Sequence, residues 1–144
     1  MNPKHHADLS DTHKRGISVT LTILDEALCD AEQWANGREV RSVFYEERNS
    51  LSDRQRSEIL LEITRMRGLL RELLDSLDLE PSVQDAAAAI RGKCAGLWEH
   101  IVELKARHLR KYGDVPPGFG DYIDPKADDL VRGIVRILDA LRTP

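Results

Sequence analysis

The chain has 144 residues, 41% hydrophobic and 32% charged, with a net charge of −4. That length predicts one domain large enough for a substantial core. The acidic balance argues against a general nucleic-acid binder, which carries a basic excess.

No stretch approaches the roughly 18 uninterrupted apolar residues of a membrane span. Met1 to His13 is polar and lacks the apolar region of a secretory signal. A soluble, cytoplasmic protein without membrane attachment is expected. Residues 1–10 read as a flexible tail and 11–144 as a single domain.

In chain order, four segments carry apolar residues at alternating steps of four and three. The first run is Ile17, Leu21, Leu24, Leu28, Ala31 and Ala35. It predicts a helix that begins between Ser10 and Ser18 and stops at Asn36-Gly37, a left-handed terminator. A connection follows from Gly37 to Leu51. It contains Val40, Val43, Phe44 and Tyr45, and is apolar enough that it should pack on something.

Ser52-Asp53-Arg54-Gln55 is a capping box, in which Ser and Gln satisfy free amides reciprocally. It opens a second helix that runs to about Asp78, striped by Ile59, Ile63, Met66, Leu70, Leu73 and Leu77. Only about three residues separate it from the third helix, which forces an antiparallel hairpin.

The third helix is expected from Pro81-Ser82 to Tyr112-Gly113. Its stripe is Val83, Ala87, Ile90, Cys94, Leu97, Ile101, Leu104 and His108. A second long connection runs from Gly113 to Ile123 and includes Val115, Phe119 and Tyr122. Asp124-Pro125 then reads as N-cap and first helical residue of a fourth helix. That helix carries Ala127, Val131, Ile134, Leu138 and Leu141, and ends near Arg142.

A 4-3 spacing averages 3.5 residues and keeps one helix face turned toward neighbours. Four such stripes predict an all-α fold, an antiparallel up-down-up-down four-helix bundle. Its two long, aromatic-rich connections fall at one end.

That end gathers Trp34, Phe44, Tyr45, Tyr112, Phe119 and Tyr122, with Trp98 elsewhere. The core positions there are the small Ala31, Ala35 and Ala127, beside His108 on its stripe. Extending the second stripe back three residues turns Arg56 inward. Small residues beside an inward His and Arg suggest either a cavity or a socket plugged by loop aromatics. As a ligand site, Arg56 and His108 would supply polar contacts, and Trp34, Tyr45, Tyr112, Phe119 and Tyr122 the walls. Two helix N-termini would favour an anion there. Asp53, Asp124, Asp128 and Asp129 oppose one.

No catalytic apparatus is legible. No Glu-x-x-His provides di-iron ligands on a bundle face, and P-loop, dinucleotide and nucleophile-elbow motifs are absent from the sequence. Cys29 and Cys94 lack metal-ligand spacing and read as two reduced thiols. No metal and no cofactor is expected, and no enzyme. The basic run from Lys105 to Lys111 suits a helix C-terminus.

Leu61 lies furthest from the second helix's core face. With Leu60 and Leu74 it marks a candidate dimer contact. The residues carry no resemblance to a known family. The expected function is a non-catalytic interaction or adaptor protein that binds a protein partner or itself as a homodimer. The alternative is a small-molecule binder holding an anionic or aromatic ligand at the aromatic end.

Overall fold

The computed structural model describes residues 8–144; most of the expected tail lies outside them. The fold is mainly helical. Its internal contacts divide the chain into two compact units, Met1–Ser82 and Val83–Pro144.

In the first unit, α1 spans Asp11–Ala35 and α2 spans Asp53–Ser76. The Ser10 hydroxyl accepts the His13 amide at 3.1 Å and caps α1. The helix stops where Gly37 takes φ 98°, a conformation that costs glycine little. The capping box of α2 forms as the sequence predicts. The Gln55 amide donates to Ser52 Oγ at 3.1 Å, and the Ser52 amide to Gln55 Oε1 at 2.9 Å. Asp78, at φ 51°, follows the end of α2. There the Leu79 amide closes on the Leu74 carbonyl at 2.9 Å.

The helices α1 and α2 pack on each other. Leu28, Ala35 and Ile63 are buried at their seam. Ile17, Leu21, Leu24, Ile59, Met66 and Leu70 are half-buried around it. Full burial of a side chain such as Ile63 contributes about 1.5–3 kcal/mol. An Arg67–Glu32 fork clamps the pair, with Nη1–Oε2 at 2.5 Å and Nη2–Oε1 at 3.1 Å. The bond from Arg67 holds the Glu32 carboxyl below its usual range.

The first connection is not a packed loop. Val40–Arg41 (β1) and Glu46–Glu47 (β2) pair antiparallel, Val40 opposite Glu47 and Arg41 opposite Glu46. The Ser42 amide donates to the Tyr45 carbonyl at 2.8 Å and leaves Val43-Phe44 as the turn. Val43 is 90% exposed and Phe44 fully so. The expectation that these residues must pack fails because the paired strands satisfy the backbone and project the turn into solvent.

The second unit corrects the third helix. Instead of one helix from Pro81 to Tyr112, there are α3 (Ala86–Cys94), α4 (Leu97–Val102), α5 (Ala106–Leu109) and a 3₁₀ turn at Arg110–Tyr112. The first break falls at Ala95-Gly96, where two glycines within five residues, Gly92 and Gly96, weaken the helix. The second follows from a tertiary bond. Asp124 Oδ1, on the last helix, accepts the Ala106 amide at 2.9 Å, and Lys105 turns extended. Of the eight stripe residues only Cys94 is buried; Val83, Ile90, Leu97 and Leu104 are exposed.

The last helix, α6, spans Phe119–Ala140. It begins after Gly118, at φ 83°, not at Asp124. Pro125 is therefore inside the helix, and Phe119 and Tyr122 are helical residues rather than loop residues. The connection is shortened to Gly113–Gly118. Against α6 pack α4 and α5, with Ala106 and Ala127 buried. The contact is close: a Cβ built on Gly120 would lie 3.3 Å from that of Ala106. Lys105 Nζ bonds Asp128 at 2.8 Å across the same seam. Among the described residues, no helix is long and apolar enough to cross a membrane.

Candidate functional site

The richest polar arrangement lies where the hairpin meets the end of α1. At its centre is Glu47, whose side chain is 13% exposed. One carboxylate oxygen accepts the Trp34 indole at 2.8 Å and lies 3.2 Å from Arg38 Nε. The other accepts the Tyr45 hydroxyl and Arg38 Nη2. The Arg38 guanidinium sits 5.6 Å from the centre of the Trp34 ring, within cation–π range. The bond from Tyr45, then that from Trp34, holds the Glu47 carboxyl below its usual range. The same bond pushes the Tyr45 phenol up, since ionisation would remove the donated proton.

A second layer ties this cluster to both helices. The Asn49 amide donates to the Trp34 carbonyl at 2.6 Å and the Arg38 carbonyl at 3.0 Å. Arg56, on α2, donates from Nε to the Leu51 carbonyl at 3.2 Å and from Nη2 to Asn49 Oδ1 at 3.4 Å. One of these bonds reaches the last turn of α1, where the Trp34 carbonyl also accepts the Gly37 amide at 2.9 Å. Together they fix the base of the hairpin.

Beside the cluster is an open cleft of about 540 Å³, bordered by Ala31, Trp34, Tyr45, Glu47, Arg48, Asn49, Ser50, Leu51 and Ile59. Its walls are mainly apolar. Arg48, at one edge, pairs with Glu46 at 3.1 Å.

Of the site residues expected from the sequence, Trp34 and Tyr45 come together here on one carboxylate. Arg56 is half-buried and bonds the Leu51 carbonyl and Asn49 rather than bordering the cleft. His108, Tyr112, Phe119 and Tyr122 belong to the second unit. There His108 is half-buried and accepts from Arg107 Nε at 3.1 Å. The Phe119 and Tyr122 rings lie 6.2 Å apart. Lys126 covers Tyr122 at 4.0 Å and Lys111 covers Tyr112 at 5.1 Å. Leu61 is 74% exposed, whereas Leu60 and Leu74 are half-buried in the widened core face.

Sequence reasoning missed Glu47, Arg38 and Asn49. One signal was present: a Trp near a helix end needs an acceptor for its indole N–H, and Glu47 lies in the adjoining connection. Among the described residues, no three His, Cys, Asp or Glu side chains are grouped to hold a metal ion. No family model, no curated protein and no solved structure matches the chain.

Proposed function

We propose that this chain is a non-catalytic interaction protein, acting in the cytoplasm, that presents the Val43-Phe44 turn to a protein partner. One observation carries the reading: two large apolar side chains stand in solvent on a hairpin whose base is bonded on every side. Exposed aromatics of this kind act as anchors in binding hot spots. A pinned base reduces the ordering cost of binding. The all-α up-down-up-down bundle is the scaffold proposed to carry the turn; its support is the packing of α1 on α2 and of α4 and α5 on α6.

A photo-crosslinking residue at position 44, compared with one at the equally exposed Val83, tests the reading in cells. Discrete protein adducts from position 44 alone are expected. Equal behaviour at the two positions overturns it.

The cleft favours a second reading, a small-ligand binder. Glu47 at its wall disfavours an anion and leaves an uncharged aromatic compound. A thermal-shift screen of such compounds, with Ser50→Trp as the blocked control, distinguishes it.

A further inference from the structure

The exposed turn and the open cleft belong to the same unit, and each lacks what the other offers. The turn offers Phe44, an aromatic side chain with no packing among the described residues. The cleft offers apolar walls from Ala31, Trp34, Leu51 and Ile59. Within one molecule they do not meet. Tyr45, the residue after Phe44, is itself a wall of the cleft, and its hydroxyl is held on Glu47. That bond fixes the end of the turn to the cleft's rim and leaves Phe44 projecting away.

Resting on the interaction reading above, we propose that the partner of the Val43-Phe44 turn is a second copy of this chain, in a two-fold dimer. Each copy seats its Phe44 in the other's cleft beside Trp34. A two-fold contact uses the same two surfaces on both sides, so one turn and one cleft per chain satisfy it completely. Charge permits the pairing although the chain is acidic. The segment from Arg38 to Arg48 carries Arg38, Arg41 and Arg48 against Glu39, Glu46 and Glu47, so neutral surfaces meet. An aromatic side chain buries roughly 150–250 Å². Two of them, with their neighbours, make a small interface, and small interfaces are weak and reversible.

Sedimentation of the full chain from roughly 10 µM to roughly 1 mM, the range suited to weak association, tests this. The wild type is expected to shift from monomer toward dimer. Phe44→Glu and Ser50→Trp, the second filling the cleft from an exposed position, are each expected to stay monomeric. An equimolar mixture of the two variants is expected to recover part of the association, because one intact turn can enter one intact cleft. The chain has two phenylalanines, so 4-fluorophenylalanine labelling gives two ¹⁹F signals. Only that of Phe44 is expected to move with concentration.

A wild type that stays monomeric throughout overturns the inference, as does a dimer that survives Phe44→Glu. A dimer lost in Phe44→Glu but kept in Ser50→Trp overturns the cleft as the socket. Loss of folding in Phe44→Glu, read by circular dichroism, shows that the turn packs within its own chain, and overturns it too. Adducts to other proteins from position 44, with a monomeric wild type, leave the interaction reading standing while this inference falls.

Discussion

The first and third stripes have the same 4-3 spacing and different fates. The first becomes one uninterrupted helix, Asp11–Ala35, whose apolar face meets α2. The third is cut into α3, α4 and α5, and leaves Ile90, Leu97 and Leu104 each about 40% exposed. Spacing places apolar residues on a common face only if the backbone stays helical between them. In the first stripe no proline and a single glycine, near the start, interrupt it. In the third, Gly92 and Gly96 weaken the middle, and Asp124 captures the Ala106 amide that a continuous helix needs for itself. A periodic pattern is therefore not sufficient for a long helix.

The largest test of that contrast is in the cores. Ile63 is 3% exposed and Leu97 is 41% exposed. Ile63→Ala is expected to cost about 2–5 kcal/mol, the range for a buried large-to-small change. Leu97→Ala is expected to cost well under half of that. Urea unfolding of both variants measures the difference, and equal losses would show that the third stripe is as well packed as the second.

Two glycines sharpen the comparison in opposite directions. Gly37 stops α1 at φ 98°, and a Cβ there would stand 3.3 Å from Arg56 Nη1. Gly37→Ala is expected to destabilise by about 1–2 kcal/mol from the left-handed conformation alone. Gly96 has φ −100° and ψ −7°, with open space around a built Cβ. Gly96→Ala is expected to stabilise by about 0.4–1 kcal/mol through the unfolded chain, and to raise the helical signal at 222 nm. If Gly96→Ala changes neither, the break at residue 96 does not depend on glycine.

Local signals were the legible part of this fold. The capping box at Ser52 and the stop at Asn36-Gly37 depend on residues within four positions of one another, and both were readable. Asp124 shows what is not. Followed by Pro125, it has the local signature of an N-cap, yet it caps α5 from within α6, eighteen residues away in sequence. The site divides in the same way. Trp34, Tyr45 and Arg56 were visible as residue types at one end of two helices. Glu47 was hidden because only strand pairing of Val40 with Glu47 brings its carboxylate to Trp34.

The captured amide makes a direct prediction. Asp124→Ala removes the acceptor for Ala106 N–H and is expected to cost about 0.5–2 kcal/mol, as for a lost helix cap. Asp124→Asn keeps an oxygen acceptor and is expected to recover most of the loss. Slowed amide exchange at Ala106 in the wild type and in Asp124→Asn, but not in Asp124→Ala, is the accompanying signature. Exchange that is indifferent to both changes separates the second break from Asp124.

The smallest expected effect is the pH response of the cluster that fixes the hairpin. The Glu47 carboxyl is lowered in the folded chain. Its contribution is therefore fully present above the unfolded carboxyl range and is lost as pH falls through the folded value. The Tyr45 phenol is raised, so its contribution is present below the usual phenol value, near 10, and is lost as pH rises through the higher folded one. The cluster should hold on a plateau bounded by an acidic and an alkaline edge, and open at either. Solvent screens these groups, so the global unfolding midpoint will move little. Trp34 emission, read in a Trp98→Phe background, is the sensitive reporter because its indole donates directly to Glu47. Glu47→Gln cannot ionise at position 47; it is expected to abolish the acidic edge and return the alkaline edge toward the ordinary phenol value. A variant whose emission profile follows the wild type at both edges would show that Glu47 does not govern the junction.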